Sequence, residues 1–578
     1  PSGAGDNAVF GTALTSNGTV TLDQAYTVGV MTFADAAASY TISGGTGPFT
    51  LTLNNSAADS TITDAVGSHT ISAPIAIGGN NTLDVSVSRS GDTLTLNGGI
   101  TGATSGTGTL TDSGAGQLVT GAVTSINQIT HKAGAGTLTL GTVTGIGTLS
   151  DLSTTGSTTP TIVHQSGASL SIGTINGASG SVVDFAGDTT GGTTVAGTLS
   201  TGGQLIQLSN GSLTLGSGRG TLANLEVDGG TLTANAASGR LGLNGTVAGQ
   251  TMNISGGTVS INSTGFGMRL NGDNGPNVSG TSSASVTVNQ SGGSINFQGG
   301  GLNYLQMGST GTNETTTYNL SNGTLGITGN INAVVLGADM AGTSQTTFNM
   351  SGGTLVSPGA ITGSQGAGAK QAFVWTGGTL SVGTFDATNL TSTVGTAVSA
   401  STNTLNNGGG TLAVGGINGL TGKTILTGNY AGGGGTSALA FSLGGTTTPG
   451  SFQQGGSTFD LLAVSGTVAI NDNLYVTVVN GLNPAGASFK IITANTTGTN
   501  ISGTFANLTG SGNVNGTTTD GGYTYSVAYN DTQATGDDIV LSNFQAVPEP
   551  TSLSLFTLGG LALMHRRRRT RAMARNSA

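Results

Sequence analysis

Apolar and polar residues alternate with a period of two along most of this chain, in short runs that Gly-containing turns interrupt. Phe348-Asn349-Met350 and Leu380-Ser381-Val382 are typical, and this period marks a strand with one buried face. Nowhere do Ala, Leu, Glu and Lys recur at helical spacing for more than one turn. From about residue 250 one phrase carries the alternation: MNISGGTVSI from Met252, TVNQSGGSINF from Thr287, YNLSNGTLGI from Tyr318, FNMSGGTLVS from Phe348 and FVWTGGTLSV from Phe373, with a looser NNGGGTLAVGG from Asn406. The apolar residues closing each turn, Val259, Ile295, Leu325, Leu355, Leu380 and Leu412, are 36, 30, 30, 25 and 32 residues apart. Earlier relatives are DTLTLNGG from Asp92, GTLTLG from Gly136, GSLTLGSG from Gly211 and GGTLTAN from Gly229.

The phrase reads as strand, tight turn, strand. The Gly pair, or Asn322-Gly323, supplies the positive φ that a corner needs. One such unit cannot bury its own apolar face, whereas stacked units bury it against one another. The expectation is an all-β fold: a right-handed parallel β-helix or similar β-solenoid over residues 1–440, its repeats clearest at 250–440. At about 25–30 residues per coil this gives on the order of 15 coils and roughly 70 Å of stack. A sandwich of hairpins is the alternative that the same corners allow. Residues 451–543 differ, with denser apolar runs such as FDLLAVSG from Phe459 and NLYVTVVNG from Asn473. They are expected to form a C-terminal β cap over the last coil, whose unpaired edge would otherwise invite aggregation.

Composition narrows the function classes. Gly supplies 105 of 578 residues, charged residues only 7%, and Cys none. An ordinary soluble domain has about 25% charged residues, so most enzymes of this length fit poorly. Disulfide scaffolds and thiolate metal sites are excluded. The formal net charge is −10, but six of the 14 basic residues, Arg566, Arg567, Arg568, Arg569, Arg571 and Arg575, lie together at the end. The remaining 8 basic residues face 24 acidic ones over residues 1–565, a net of −16, which repels nucleic acid and anionic lipid. Residues 1–17 show no basic start and no apolar run. An export leader is therefore expected to have been removed, or the chain to be a fragment.

The end of the chain is its most specific feature. Val547, Pro548, Glu549 and Pro550 precede an apolar segment containing Leu553, Leu555, Phe556, Leu558, Leu561, Leu563 and Met564, and the basic stop Arg566, Arg567, Arg568 and Arg569 follows His565. The prolines break the preceding strand and expose Glu549. Residues 551–564 would form a helix about 21 Å long, short for a stable span. It would serve as a short C-terminal membrane-anchor helix, tilting and snorkelling, with the Arg cluster held cytoplasmic. In this order, VPEP, apolar segment and Arg run, residues 547–578 resemble the PEP-CTERM sorting signal of Gram-negative exported proteins. The resemblance implies export, transient inner-membrane anchoring and processing by exosortase, with Pro548, Glu549 and Pro550 as the recognised motif. It also implies an association with exopolysaccharide and biofilm. The SGGTL copies, with Gly408–Leu412 and Thr421-Gly422-Lys423-Thr424, resemble autotransporter-associated β-strand repeats. No membrane barrel of 8 to 12 strands follows, so self-translocation is not expected.

Catalytic candidates are few. His69, His131 and His164 lack local metal-ligand spacing and are expected on the surface of the coils. Glu occurs only at Glu226, Glu314 and Glu549, whereas glycoside cleavage needs two facing carboxylates. No Asp cluster recurs at coil spacing. Asp537-Asp538 reads as a turn before the last strand, and Trp375 as a packed or solvent-facing strand residue that could serve as a sugar platform. The expected function is an exported structural protein of the cell surface or extracellular matrix, without enzymatic activity, cofactor or metal. Its expected partners are exosortase and a polysaccharide matrix, not nucleic acid. A glycan-binding adhesin and a β-helix polysaccharide lyase or hydrolase are the alternatives.

Overall fold

The computed structural model describes residues 3–547 except 48, 79–81, 103–107, 153–161, 165–169, 178–181, 185–192, 196–198, 202–204, 209–211, 216–219, 223, 237–240, 244–248, 264–265, 271–284, 299–301, 309–313, 328–331, 338–343, 364–369, 389, 391–402, 455, 495–499, 509–513 and 530–536, together with 563–565. Strand accounts for 63% of the structure and helix for 1%, as the two-residue period requires. The chain divides into two units, Pro1–Thr411 and Leu412–Ala578.

In the first unit the strands form three series of parallel pairs, and most strands bond to the one three places along the chain; the step falls to two around Val143–Asp151 and Leu170–Gly177, each of which serves two series. The first series begins Asn7–Phe10, Val30–Ala34, Ser60–Val66, Thr82–Val87, Gly108–Asp112, Ile126–His131. The second begins Gly18–Thr21, Tyr40–Ser43, His69–Ile71, Thr93–Leu96, Gln117–Thr120. The third begins Tyr26–Val28, Leu51–Leu53, Ile75–Ile77, Ile100–Gly102, Val123–Thr124. Toward the end of the unit Gln345–Gly363 and Lys370–Asp386 each run through all three series.

The repeated phrases lie in register. Met252, Val288, Tyr318, Phe348 and Phe373 are successive partners in the second series. Val259, Ile295, Leu325, Leu355 and Leu380 are successive partners in the third. All ten are fully buried. Spacings of 36, 30, 30 and 25 residues thus leave the pairing unchanged, so the repeats differ in length outside the paired strands. Tyr318, Phe348 and Phe373 stack face to face at 4.9 and 5.3 Å. The Tyr318 hydroxyl donates to Gln290 Oε1 at 2.6 Å, which satisfies the one polar atom of that column. On the opposite strand face Asn289, Asn319 and Asn349 each donate from Nδ2 to Oδ1 of the preceding Asn, at 2.9, 2.8 and 2.8 Å, starting from Asn253. Identical residues in register can do this because parallel neighbours sit about 4.8 Å apart.

The two glycines of each corner have different duties. The second has positive φ: 65° at Gly257, 59° at Gly293, 81° at Gly323, 67° at Gly353 and 81° at Gly378. The first needs space instead: a Cβ at Gly292 or Gly352 would collide with the carbonyl of Ser255 or Ser321 in the preceding corner. Gly353 is constrained both ways, since its Cβ would lie 2.8 Å from the Gly323 carbonyl oxygen. Gly353→Val is therefore expected to lower stability by about 2–3 kcal/mol, read from urea unfolding of the full chain. A loss under about 0.5 kcal/mol, the size of an ordinary surface substitution, would show that the corner is not conformationally restricted.

In the second unit Lys423–Thr427, Leu461–Val464 and Phe489–Ala494 are parallel neighbours, as are Ala438–Leu443 and Asn473–Val478. The pattern then changes: Asp538–Ala546 runs antiparallel to both Phe489–Ala494 and Tyr523–Tyr529, and Tyr523–Tyr529 pairs antiparallel with Val514–Thr517. Phe489 anchors this end, edge-on to Phe459 at 5.5 Å and to Phe544 at 5.4 Å. Of the expected anchor helix, only 563–565 are helical among the described residues. No described helix is long and apolar enough to cross a membrane.

Candidate functional site

The sorting segment starts where the last strand ends. Asp538–Ala546 is held on both sides, and one further bond follows, from the Val547 N–H to the Gly522 carbonyl at 2.9 Å. Val547 is 38% exposed. The next residue, Pro548, has no N–H with which to extend the ladder. Leu563 and Met564 are 68% and 70% exposed, so the described part of the apolar segment is not packed into a core. Pro548, Glu549, Pro550, Leu553, Leu555, Phe556, Leu558, Leu561, Arg566, Arg567, Arg568 and Arg569 lie outside the described residues.

The acids and imidazoles of the body are placed otherwise than expected. His69 and His131 are not on the surface: they are 1% and 0% exposed. The His164 side chain lies outside the described residues. At coil spacing the register instead sets an imidazole between two acids, because Asp112, His131 and Asp151 are successive partners in the first series, all fully buried. His131 Nδ1 and Asp112 Oδ2 are 2.9 Å apart. Burial raises the Asp112 carboxyl above its ordinary range, and the hydrogen bond from His131 opposes that rise. The Asp–His geometry is that of an oriented base, but with no exposed surface it meets no substrate. Outside it, Asp84 accepts from Ser113 Oγ at 2.6 Å and from Lys132 Nζ at 3.2 Å.

A second buried acid lies nearer the start. Asp64 partners Phe33 on one side and Val87 on the other, and neither carboxyl oxygen has a hydrogen bond. Desolvation, with a smaller contribution from Asp92, raises its pKa to about 7. The neighbouring His69 is committed elsewhere. The Tyr40 N–H donates to Nδ1 at 3.0 Å, which places the ring proton on Nε2, facing the Val66 carbonyl at 3.0 Å. Asp64 Oδ1 is 3.8 Å from Nε2, and Phe33 stacks on the imidazole at 4.9 Å.

The remaining candidates do not assemble. Glu226 lies in Asn224–Val227 and Glu314 immediately precedes Thr315–Leu320, strands three steps apart in the second series, about 14 Å by strand spacing, beyond the reach of a carboxylate pair working on one sugar bond. Trp375 is fully buried and cannot serve as a sugar platform. Gly410 makes room for it, since a Cβ there would overlap the indole. Asp538 opens the last strand, 3% exposed, and pairs with Lys490. No group of three metal-ligating side chains occurs among the described residues.

The segment that leaves the last strand is also the one that the comparisons with known proteins match. Residues 546–569 match the family model described as the PEP-CTERM protein-sorting motif. No curated protein matches the chain. The motif indicates an exported protein that is transiently anchored in a membrane and processed by exosortase.

Proposed function

We propose that this chain is an exported structural protein of a Gram-negative cell surface or extracellular matrix, associated with polysaccharide and without enzymatic activity. In this reading residues 1–440 are a right-handed parallel β-solenoid of autotransporter-associated repeats, and residues 451–543 are its C-terminal β cap, in which parallel strands give way to antiparallel ones. Val547 to Pro550 are the motif that exosortase recognises, Leu553 to Met564 hold the membrane transiently, and Arg566 to Arg569 set the orientation. The observation that carries the structural role is the preserved register of repeats of unequal length, which builds a continuous core at low sequence cost. The Asn column and the half-buried Thr and Ser positions on the outer faces suit contact with hydrated sugar. The burial of Asp112 and His131, which keeps them from substrate, favours the non-enzymatic reading.

The test is processing in a host that carries exosortase. The parent is expected to lose its tail and leave the membrane, and the product's mass and location read this directly. Changing Pro548, Glu549 and Pro550 to Ala is expected to leave a full-length, membrane-held protein. Changing Arg566 to Arg569 to Ser is expected to misorient or mislocalise the precursor. Trimming and release of the triple-Ala variant at the parental rate would rule out recognition of that motif.

A further inference from the structure

An open groove of about 550 Å³ lies on the second unit, lined by Lys423, Ile425, Ala463, Lys490, Thr493 and Asp538, among others. Its floor is one row of register partners: Ile425 against Ala463, Ala463 against Thr493, and Thr493 against Asp538. Residues 412–547 hold two basic side chains, Lys423 and Lys490, against six Asp. Both lysines line this groove, although 67 residues separate them in sequence. Lys490 Nζ is committed to Asp538 Oδ2 at 2.6 Å, which neutralises the one acid among the described residues that line the groove. Lys423 makes no ion pair among the described residues. The site therefore presents one available ammonium, one neutralised ion pair, and a floor of Ile425, Ala463 and the Thr493 side chain.

We infer that this groove binds a carboxylate-bearing sugar, a uronate residue of an extracellular polysaccharide, with Lys423 contacting the carboxylate. The inference rests on the matrix reading above and names the chemistry that the protein would grip. Ile425, 40% exposed, and Ala463 present a flat C–H surface to the face of a pyranose ring, and the hydroxyls of Thr493 and Ser465 meet the ring's own hydroxyls. The open groove admits an internal residue of a polymer. The acidic body does not prevent this: charges beyond about 8 Å are screened at physiological ionic strength, while Lys423 acts at contact distance. A peptide added as an extra strand would instead need a free strand edge. At the floor, Leu461–Val464 and Phe489–Ala494 are hydrogen-bonded on both sides.

Titration of the purified full chain with an oligogalacturonate, a neutral glucan of equal length and polyglutamate tests the inference. The oligogalacturonate is expected to bind, more weakly as salt rises, and the other two to bind at least tenfold less well. Lys423→Gln is expected to weaken uronate binding about tenfold or more, Lys423→Arg to restore it, and Ile425→Glu to abolish it. Circular dichroism should show each variant folded like the parent. Equal binding of the neutral glucan, parental affinity in the folded Lys423→Gln variant, or polyglutamate binding with the same dependence on Lys423 would each overturn the assignment. The two readings fail separately. Loss of the groove leaves processing and location as proposed, whereas a chain that binds uronate but is never processed or released sinks the matrix role alone.

Discussion

Phe348→Ala is expected to destabilise the first unit by about 4–6 kcal/mol, the largest effect of any single truncation proposed here. The residue is fully buried and sits between Tyr318 and Phe373, at ring separations of 4.9 and 5.3 Å. Truncation removes the apolar surface of one ring and leaves a void that parallel strands about 4.8 Å apart cannot close by sliding, because their hydrogen bonds fix the spacing. Two stacking interactions are lost as well, each worth about 0.5–1.5 kcal/mol. Because each repeat leans on its neighbours, the loss should spread to the adjacent strands before the rest of the unit. Urea unfolding gives the magnitude, and hydrogen exchange should show Thr315–Leu320 and Lys370–Asp386 losing protection first. Phe348→Leu should cost less than half as much. A Phe348→Ala protein within about 1 kcal/mol of the parent would mean that the aromatic column is not a stabilising core.

Stability is also expected to depend on pH through Asp64, with a sign opposite to that of an ion-paired carboxylate. The folded state raises this pKa from 3.8 to about 7, because burial among apolar partners disfavours the charged form. Between those values the folded protein holds a proton that the unfolded chain has released. This group's contribution is therefore fully present below pH 3.8 and is lost as the pH rises through 7. The full swing is on the order of 4 kcal/mol. Asp64→Asn keeps the shape and cannot ionise, so it should flatten this part of the profile and make the protein more stable than the parent at pH 8. The advantage should vanish near pH 4. Urea unfolding of both proteins from pH 4 to pH 8 measures the difference, which cancels the other titrating groups. Parallel profiles would show that Asp64 ionises without penalty.

Several features were legible because the residues that carry them are contiguous. Period-two alternation and a corner in each phrase placed the strands, and Val259, Ile295, Leu325, Leu355 and Leu380 emerge as register partners. Positive φ at the corners was legible too, but only the second glycine of each pair has it. The first is held by contact with the corner before it, a relation between repeats that no single phrase contains. Residues 546–569 could be read without any fold, since the sorting motif is contiguous in the sequence.

The interior charges show where such reading stops. Which face of a strand a residue takes depends on its parity within the register, and a shift of one residue reverses it. Asp84 and Asp112 both sit in short Thr/Leu/Asp strands, yet Asp112 is fully buried against His131 while Asp84 meets Lys132 at the surface. His69 and His131 were expected outside for the same reason, and only pairing places them inside. Trp375 required Gly410 to vacate the space its indole fills. The groove of Lys423 and Lys490 required Leu461–Val464 to come between their strands. The amino-acid sequence by itself thus determined the strand content, the repeat phrase and the sorting segment, all of which depend on neighbours along the chain. Tertiary structure alone decided which acids and imidazoles are buried and which lysines share a surface, because those depend on neighbours across the hydrogen-bonded ladder.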